Sequence, residues 1–218
     1  MPGTVFALAT VVMLAGCTLV RRDGPLDAEA YYRRAFAKIE KRDYTGARAD
    51  LDAALEKKPE FAAAHEARGV ARQAGYDVEG ALADYSRAIE LDPSRARAYH
   101  NRGVIRCSRG DLEGAIADLG AVIRLSPGDP VARLDRGIAL ANGGDRKRAI
   151  ADYDEALRLN PKFAAAYWDR AVAREAEGDR EGAIADLRKV TELAKPSTSL
   201  RRDAEQRLGA LGPRAPKR

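Results

Sequence analysis

A spacing of 34 residues recurs along this 218-residue chain and limits what it can fold into more than any other feature. Gly69, Gly103 and Gly137 stand at that interval, and the same step reaches Ala35 before them and Ala171 after. Five further registers share the spacing. They are Ala47, Ala81, Ala115, Ala149, Ala183; Pro59, Pro93, Pro127, Pro161, with Pro196 one residue late; Asp43, Asp77, Asp111, Asp145, Asp179; Asp50, Asp84, Asp118, Asp152, Asp186; and Arg34, Arg68, Arg102, Arg136, Arg170. Coincident registers of this kind signify stacked copies of one supersecondary unit, none of which can bury its apolar face alone.

Each unit reads as two helices. In the third, Ala96 to Arg109 is rich in helix formers, and Gly110 ends it because glycine accepts the left-handed conformation of a helix stop. Asp111 offers a side-chain oxygen to the free amides of a second helix, Leu112 to Leu125, and Glu113 sits in its first turn, where the helix dipole favours an anion. Pro127 forbids continuation. The first unit carries Arg42 where the stop glycine is expected, and the second places its glycine at Gly75. Gly103 and Ala115 are small enough to let the two helices approach closely, with Val104, Ile116, Leu119, Val122 and Ile123 filling the space beside them. The Arg34 and Asp50 registers are expected to pair or hydrogen-bond between helices as a ladder, the alternative being a solvated charged face. Exposed pairs would contribute only about 0.2–1 kcal/mol each.

With Tyr99-His100-Asn101-Arg102-Gly103 and Ala115-Ile116-Ala117-Asp118 in these registers, the chain resembles the tetratricopeptide repeat family. The resemblance implies an all-α superhelix of five helix-turn-helix repeats at 28–61, 62–95, 96–129, 130–163 and 164–197. Its structural positions include Gly69, Gly103, Gly137, Ala81, Ala115, Ala149, Pro93, Pro127 and Pro161. Ser199 to Leu211 reads as a capping helix within 198–211, its stripe of Leu200, Ala204, Leu208 and Leu211 facing the last repeat. Residues 212–218 form a Pro-rich basic tail, expected to be disordered.

The same resemblance implies a concave groove walled by the first helix of each repeat, in which a partner protein or peptide binds. Three registers face it in the family: Tyr32, Glu66, His100, Leu134, Trp168; Phe36, Val70, Val104, Ile138, Val172; and Ile39, Gln73, Cys107, Ala141, Glu175. The family's clamp for a C-terminal carboxylate needs Asn where Phe36 and Val70 stand, and Lys where Tyr32 stands, so that mode is rejected. An apolar groove suits an amphipathic helix or an extended peptide with hydrophobic anchors. The middle register reads equally as inter-helix core. Tyr32, His100, Leu134 and Trp168 are the expected partner contacts.

Residues 1–20 contain no charged side chain, and Val5 to Ala15 is an apolar run followed by Leu14-Ala15-Gly16-Cys17. This stretch resembles a bacterial lipoprotein signal. The resemblance implies a signal peptide over 1–16, lipidation of Cys17, a tether over 17–27 and a periplasm-facing protein held at the envelope. Thr18 after the cysteine leans to the outer membrane. The alternative is an uncleaved anchor, with Arg21-Arg22 on the cytoplasmic side. Similar lipoproteins serve as adaptors of peptidoglycan hydrolases, as pilotins for secretins and in polysaccharide export, and the rival role is a regulatory subunit of an envelope enzyme.

Catalytic chemistry finds little footing. Aromatic residues are 6% of the chain and charged residues 33%, which argues against a wide apolar enzyme cavity. Two histidines, His65 and His100, are too few for a metal site, and Cys107 reads as a small buried hydrophobe. Gly143-Gly144-Asp145 is a turn rather than a phosphate loop, since no strand precedes it and no Gly-Lys-Ser/Thr follows. The net charge of +5 is mild, and a period of 34 differs from the 35 of helical RNA readers. No enzyme activity, cofactor, metal, nucleic acid or small-molecule substrate is expected.

Overall fold

The computed structural model describes residues 26–212. The signal segment, Cys17, the tether up to residue 25 and the tail beyond Gly212 lie outside the described residues. Among those described there are eleven helices and no strand. Five pairs follow one another: α1 (Ala28–Glu40) with α2 (Tyr44–Lys57), α3 (Ala62–Ala74) with α4 (Val78–Leu91), α5 (Ala96–Ser108) with α6 (Leu112–Leu125), α7 (Pro130–Asn142) with α8 (Arg146–Leu159), and α9 (Ala164–Ala176) with α10 (Arg180–Leu193). A last helix, α11 (Ser199–Leu211), packs on α10 and α9. The first helix of each pair is called A below, the second B.

Local chemistry sets the boundaries. Asp43, Asp77, Asp111, Asp145 and Asp179 each cap a B helix, accepting from the backbone N–H three residues on at 2.9–3.1 Å. The first four B helices stop two residues before a proline of the Pro59 register. The turn between A and B needs one residue in the left-handed region. Gly110, Gly144 and Gly178 supply it at φ 84 to 87°, and Arg42 and Tyr76 supply it at 61 and 63°. The second turn therefore departs from the sequence expectation. Gly75 has φ −89°, and the strained position falls on Tyr76, in register with Gly110. Repeat geometry fixes the place of the left-handed residue, and a glycine one position early cannot take it over.

The small residues of the A helices have a partner-specific purpose. A Cβ added at Gly69 would lie 2.6 Å from the Tyr85 ring, and one at Gly137 would lie 2.5 Å from that of Tyr153. At Gly103 the nearest atoms are Leu119 Cγ at 3.1 Å and Asp118 Cβ at 3.2 Å, with the Ala115 carbonyl at 3.5 Å. Leu51 and Leu187 occupy the same B-helix register opposite Ala35 and Ala171, and all four are fully buried. Glycine thus makes room for tyrosine, whereas leucine tolerates alanine.

The arginine and aspartate registers pair in every repeat. Arg34–Asp50, Arg68–Asp84, Arg102–Asp118, Arg136–Asp152 and Arg170–Asp186 each join helix A to helix B through Nε and a terminal guanidinium nitrogen, at 2.5–2.9 Å. The aspartates are only 2–4% exposed, so neither the solvated face nor the small energy of an exposed pair applies. Removing one partner of such a pair strands a buried charge, at about 3–5 kcal/mol. Lys38, Arg72, Arg106 and Arg174 bring a second cation to four of the five carboxylates. In the fourth repeat Leu140 holds that place, and Arg133 reaches Asp152 at 3.5 Å instead.

Pairs stack by continuing the same contacts. Each B helix packs on the next A helix, and successive A helices also touch one another, whereas no two B helices do. The A helices therefore line the inner side of the curve. At the end of the stack Ala204 and Leu211 of α11 are buried with Ala171, Leu187 and Val190, and Leu200 and Leu208 pack beside them, so the expected capping stripe closes the core.

Two stability predictions follow from the turns and the glycines. Tyr76 is 92% exposed, so Tyr76→Gly relieves left-handed strain without losing packing. It should stabilise the fold by about 1 kcal/mol, seen as a higher Tm in thermal melts. Gly137→Ala should destabilise by about 1–3 kcal/mol through overlap with Tyr153, while Gly103→Ala should be neutral or gain up to about 1 kcal/mol of helix preference. Equal losses at the two glycines would contradict the ring-specific account.

Candidate functional site

The inner wall is built from positions of the A helices that recur once per repeat. Phe36 is 44% and Val104 39% exposed, and Val70, Ile138 and Val172 of the same register are half-buried. The middle apolar register is thus the open wall of the groove, although Val70 and Ile138 also rest on the core beneath. Apolar side chains left uncovered in a row along one concave face are the ordinary mark of a docking surface.

The four expected contacts divide. Tyr32 is half-buried, its ring 5.0 Å from that of Phe61 and tilted by 50°. His100 is half-buried and its Nε2 lies 2.7 Å from Asp135 Oδ2; that hydrogen bond raises the imidazole pKa. Trp168 is half-buried against the core shared by α9, α10 and α11, with the Arg207 guanidinium 5.8 Å from its ring. Leu134 is a correction: at 7% exposure it belongs to the core with Leu140, Tyr153 and Leu157, and offers no surface to a partner. Its register lies at the edge between groove and interior. An aliphatic side chain gains there by turning wholly inward, whereas Tyr32, His100 and Trp168 are half-buried. Glu66, in the same register, is also buried, bound to Arg95 at 3.0 Å and beside Arg97 at 3.5 Å.

The neighbouring register, Arg33, Ala67, Asn101, Asp135 and Asp169, was not singled out from the sequence, yet it carries the groove's charge. Asp135 is engaged by His100, whereas Asp169 has no ion-pair partner among the described residues. Burial, helped by the negative charge of Asp135, pushes the Asp169 carboxyl up to about 6. A carboxylate retained in such surroundings is a recurrent feature of binding sites. Two acidic residues in one register of adjacent units were the available signal.

Other candidates lie apart from the groove's chemistry. His65 is buried, with Nε2 2.9 Å from the Pro59 carbonyl and Nδ1 3.4 Å from Asp84. Cys107 is half-buried and its Sγ lies 3.8 Å from Asn142 Nδ2. Among the described residues no group of three His, Cys, Asp or Glu side chains is placed to hold a metal ion, and no helix is long and apolar enough to cross a membrane.

Two tetratricopeptide-repeat family models match the chain, one over residues 77–106 and the other over residues 37–75 and 134–197, together more than half its length. The chain belongs to the tetratricopeptide-repeat family. Solved structures of similar shape agree. YrrB, described as a tetratricopeptide-repeat protein with an unusual peptide-binding site, has a TM-score of 0.73 at 22% identity, covering 83% of this chain and 92% of that one. MamA from Desulfovibrio magneticus has a TM-score of 0.73 at 19% identity, covering 79% and 97%. PilF of Pseudomonas aeruginosa has a TM-score of 0.70 at 19% identity, covering 85% and 88%. At these identities the likeness is one of fold. No curated protein sequence matches this tetratricopeptide-repeat chain.

The raised Asp169 pKa has a consequence for stability. Below its ordinary value of 3.8 the group is protonated whether folded or not, and burial carries no charge penalty. Between 3.8 and about 6 the unfolded chain releases the proton first, and above about 6 the folded chain bears the full cost of a buried carboxylate. Asp169→Asn should therefore raise Tm above about pH 6 and leave it unchanged below 3.8. Parallel melts of both proteins across that range check the sign.

Proposed function

We propose that this protein is a non-enzymatic adaptor that holds an apolar segment of a partner protein in its concave groove, close to a bacterial envelope membrane to which Cys17 tethers it by lipid. The observation that carries the groove assignment is the apolar register of the A helices, in which Phe36 and Val104 are exposed and Val70, Ile138 and Val172 half-buried. Each repeat presents one member, so an extended segment laid along the groove would meet a hydrophobic foothold per repeat. YrrB, of the same architecture, is described as having a peptide-binding site, which supports the same use of the fold here. The envelope half of the proposal draws on sequence alone: the uncharged run ending in Leu14-Ala15-Gly16-Cys17, and a periplasm-facing, outer-membrane placement favoured by Thr18.

Separate experiments test the two halves. A photocrosslinking amino acid at Val104 should form adducts with a partner protein in living cells, and one at the exposed outer position Ala151 should not. Phe36→Glu with Val104→Glu should reduce partner capture at least tenfold. Because both positions are exposed, unfolding free energy should change by no more than about 0.5 kcal/mol per site. Undiminished capture would refute the groove. Cys17→Ser should abolish palmitate labelling and release the chain from membranes; continued retention without labelling would favour an uncleaved anchor.

A further inference from the structure

The fourth and fifth repeats enclose, on the groove side, a hollow of about 290 Å³ lined by Ile138, Ala141, Asn142, Tyr153, Asp169 and Val172 among others. Its origin is visible by comparison with the second repeat. There, as here, a glycine on helix A faces a buried tyrosine on helix B. The Tyr85 hydroxyl donates to Gln73 Oε1 at 2.8 Å. One period further along for each repeat, the place of Gln73 passes to Cys107 and then to Ala141. Tyr153, only 2% exposed, is left with no hydrogen bond to its hydroxyl among the described residues, and its side chain borders the hollow. That hydroxyl opens on the hollow, so only what enters the hollow can meet it, and the closed Tyr85–Gln73 bond of the second repeat marks the fourth as a departure from the common pattern.

The second unmet group in the hollow is Asp169, a carboxylate with no cation paired to it and with Asp135 as its charged neighbour. Carboxylate and hydroxyl oxygens are both acceptors, and between them the walls of Ile138 and Val172 are aliphatic. An anion would be repelled, and a purely apolar group would leave both oxygens dry. We propose that the hollow receives a lysine or arginine side chain of the segment bound in the groove, its alkyl stem against Ile138 and Val172 and its cationic head donating to the Asp169 carboxylate and the Tyr153 hydroxyl. This rests on the groove reading above and specifies the partner further: a basic residue set among apolar ones. Arg146, at the rim, forms no ion pair with Asp169 and is the one cation of this chain lining the hollow among the described residues.

The side-chain chemistry can be tested without knowing the partner. The full chain, methyl-labelled at Ile and Val, is titrated with n-butylguanidinium and n-butylammonium, and with n-butanol and n-butyrate as controls. The cations should shift the Ile138 and Val172 methyl signals saturably, butanol should bind at least roughly tenfold more weakly, and butyrate should give no shift. Asp169→Asn should weaken cation binding roughly tenfold or more. Ala141→Gln, which gives Tyr153 the acceptor that Tyr85 has and fills the hollow, should abolish it while raising Tm. For the wild type, affinity should fall as pH drops through about 6, as Asp169 takes up a proton. Asp135, His100, Arg146 and Tyr153 are the other titratable groups nearby. The proposal fails if no saturable shift occurs, if butanol matches the cations, or if Asp169→Asn binds unchanged. It also fails if binding appears only in Arg146→Ala, which would make Arg146 the occupant. Fragment binding and partner crosslinking at Val104 are independent readouts, so either reading can fall without the other.

Discussion

The fork between arginine on helix A and aspartate on helix B is the contact on which the rest of this molecule depends. It recurs in all five hairpins with the same atoms and a sequence separation of 16 residues. A carboxylate so deeply enclosed is untenable alone, so the two helices of a hairpin can pack over it only with the fork formed. The planar guanidinium also fixes their relative rotation, which a point charge would not. The same arginines reach backwards along the stack: Arg68 to Asp52, Arg102 to Ser86 and Arg170 to Asp154 of the preceding B helix. Arg136 finds Gly120 at that position. There the junction is closed by packing instead, with Gly120, Ala121, Val122 and Ile123 of α6 all buried.

Much of this architecture was legible because a repeat states each structural requirement five times. The N-cap aspartates, the proline stops, the arginine–aspartate registers and the stripe of the last helix could be read from spacing alone. Legibility failed where one copy departs from the others. Gly75 resembles a helix stop, but the turn's geometry places the left-handed residue by register, and Tyr76 must adopt it. Leu134 shares a register with Tyr32, His100 and Trp168, yet it and Glu66 are buried while those three are half-buried, because the neighbours that each meets differ from repeat to repeat. The charge at Asp169 escaped notice because a carboxylate among 33 acidic residues is unremarked until its surroundings are known.

The positions that vary between repeats are as informative as those that do not. Invariant positions hold the hairpins together, and changes among them would damage every partner interaction alike. The series Ile39, Gln73, Cys107, Ala141, Glu175 alters chemistry at each step on an unchanging frame. Gln73 closes one tyrosine's hydrogen bond, Ala141 leaves another's open, and Glu175 holds Arg207 of the last helix. Specificity in such a fold is written by substitution within a register, one repeat at a time.

The contact pattern among the helices also sets the shape of the whole array. Successive A helices touch and successive B helices do not, so the inner edge of the array is its short side and the outer edge its long one. The groove's width follows from that curvature, which the links from Arg68 to Asp52, Arg102 to Ser86 and Arg170 to Asp154 hold at the joints, while each arginine–aspartate fork lies within a single hairpin. Each hairpin is thereby a closed unit, and the curvature of the array is written in the joints between units rather than in the units themselves.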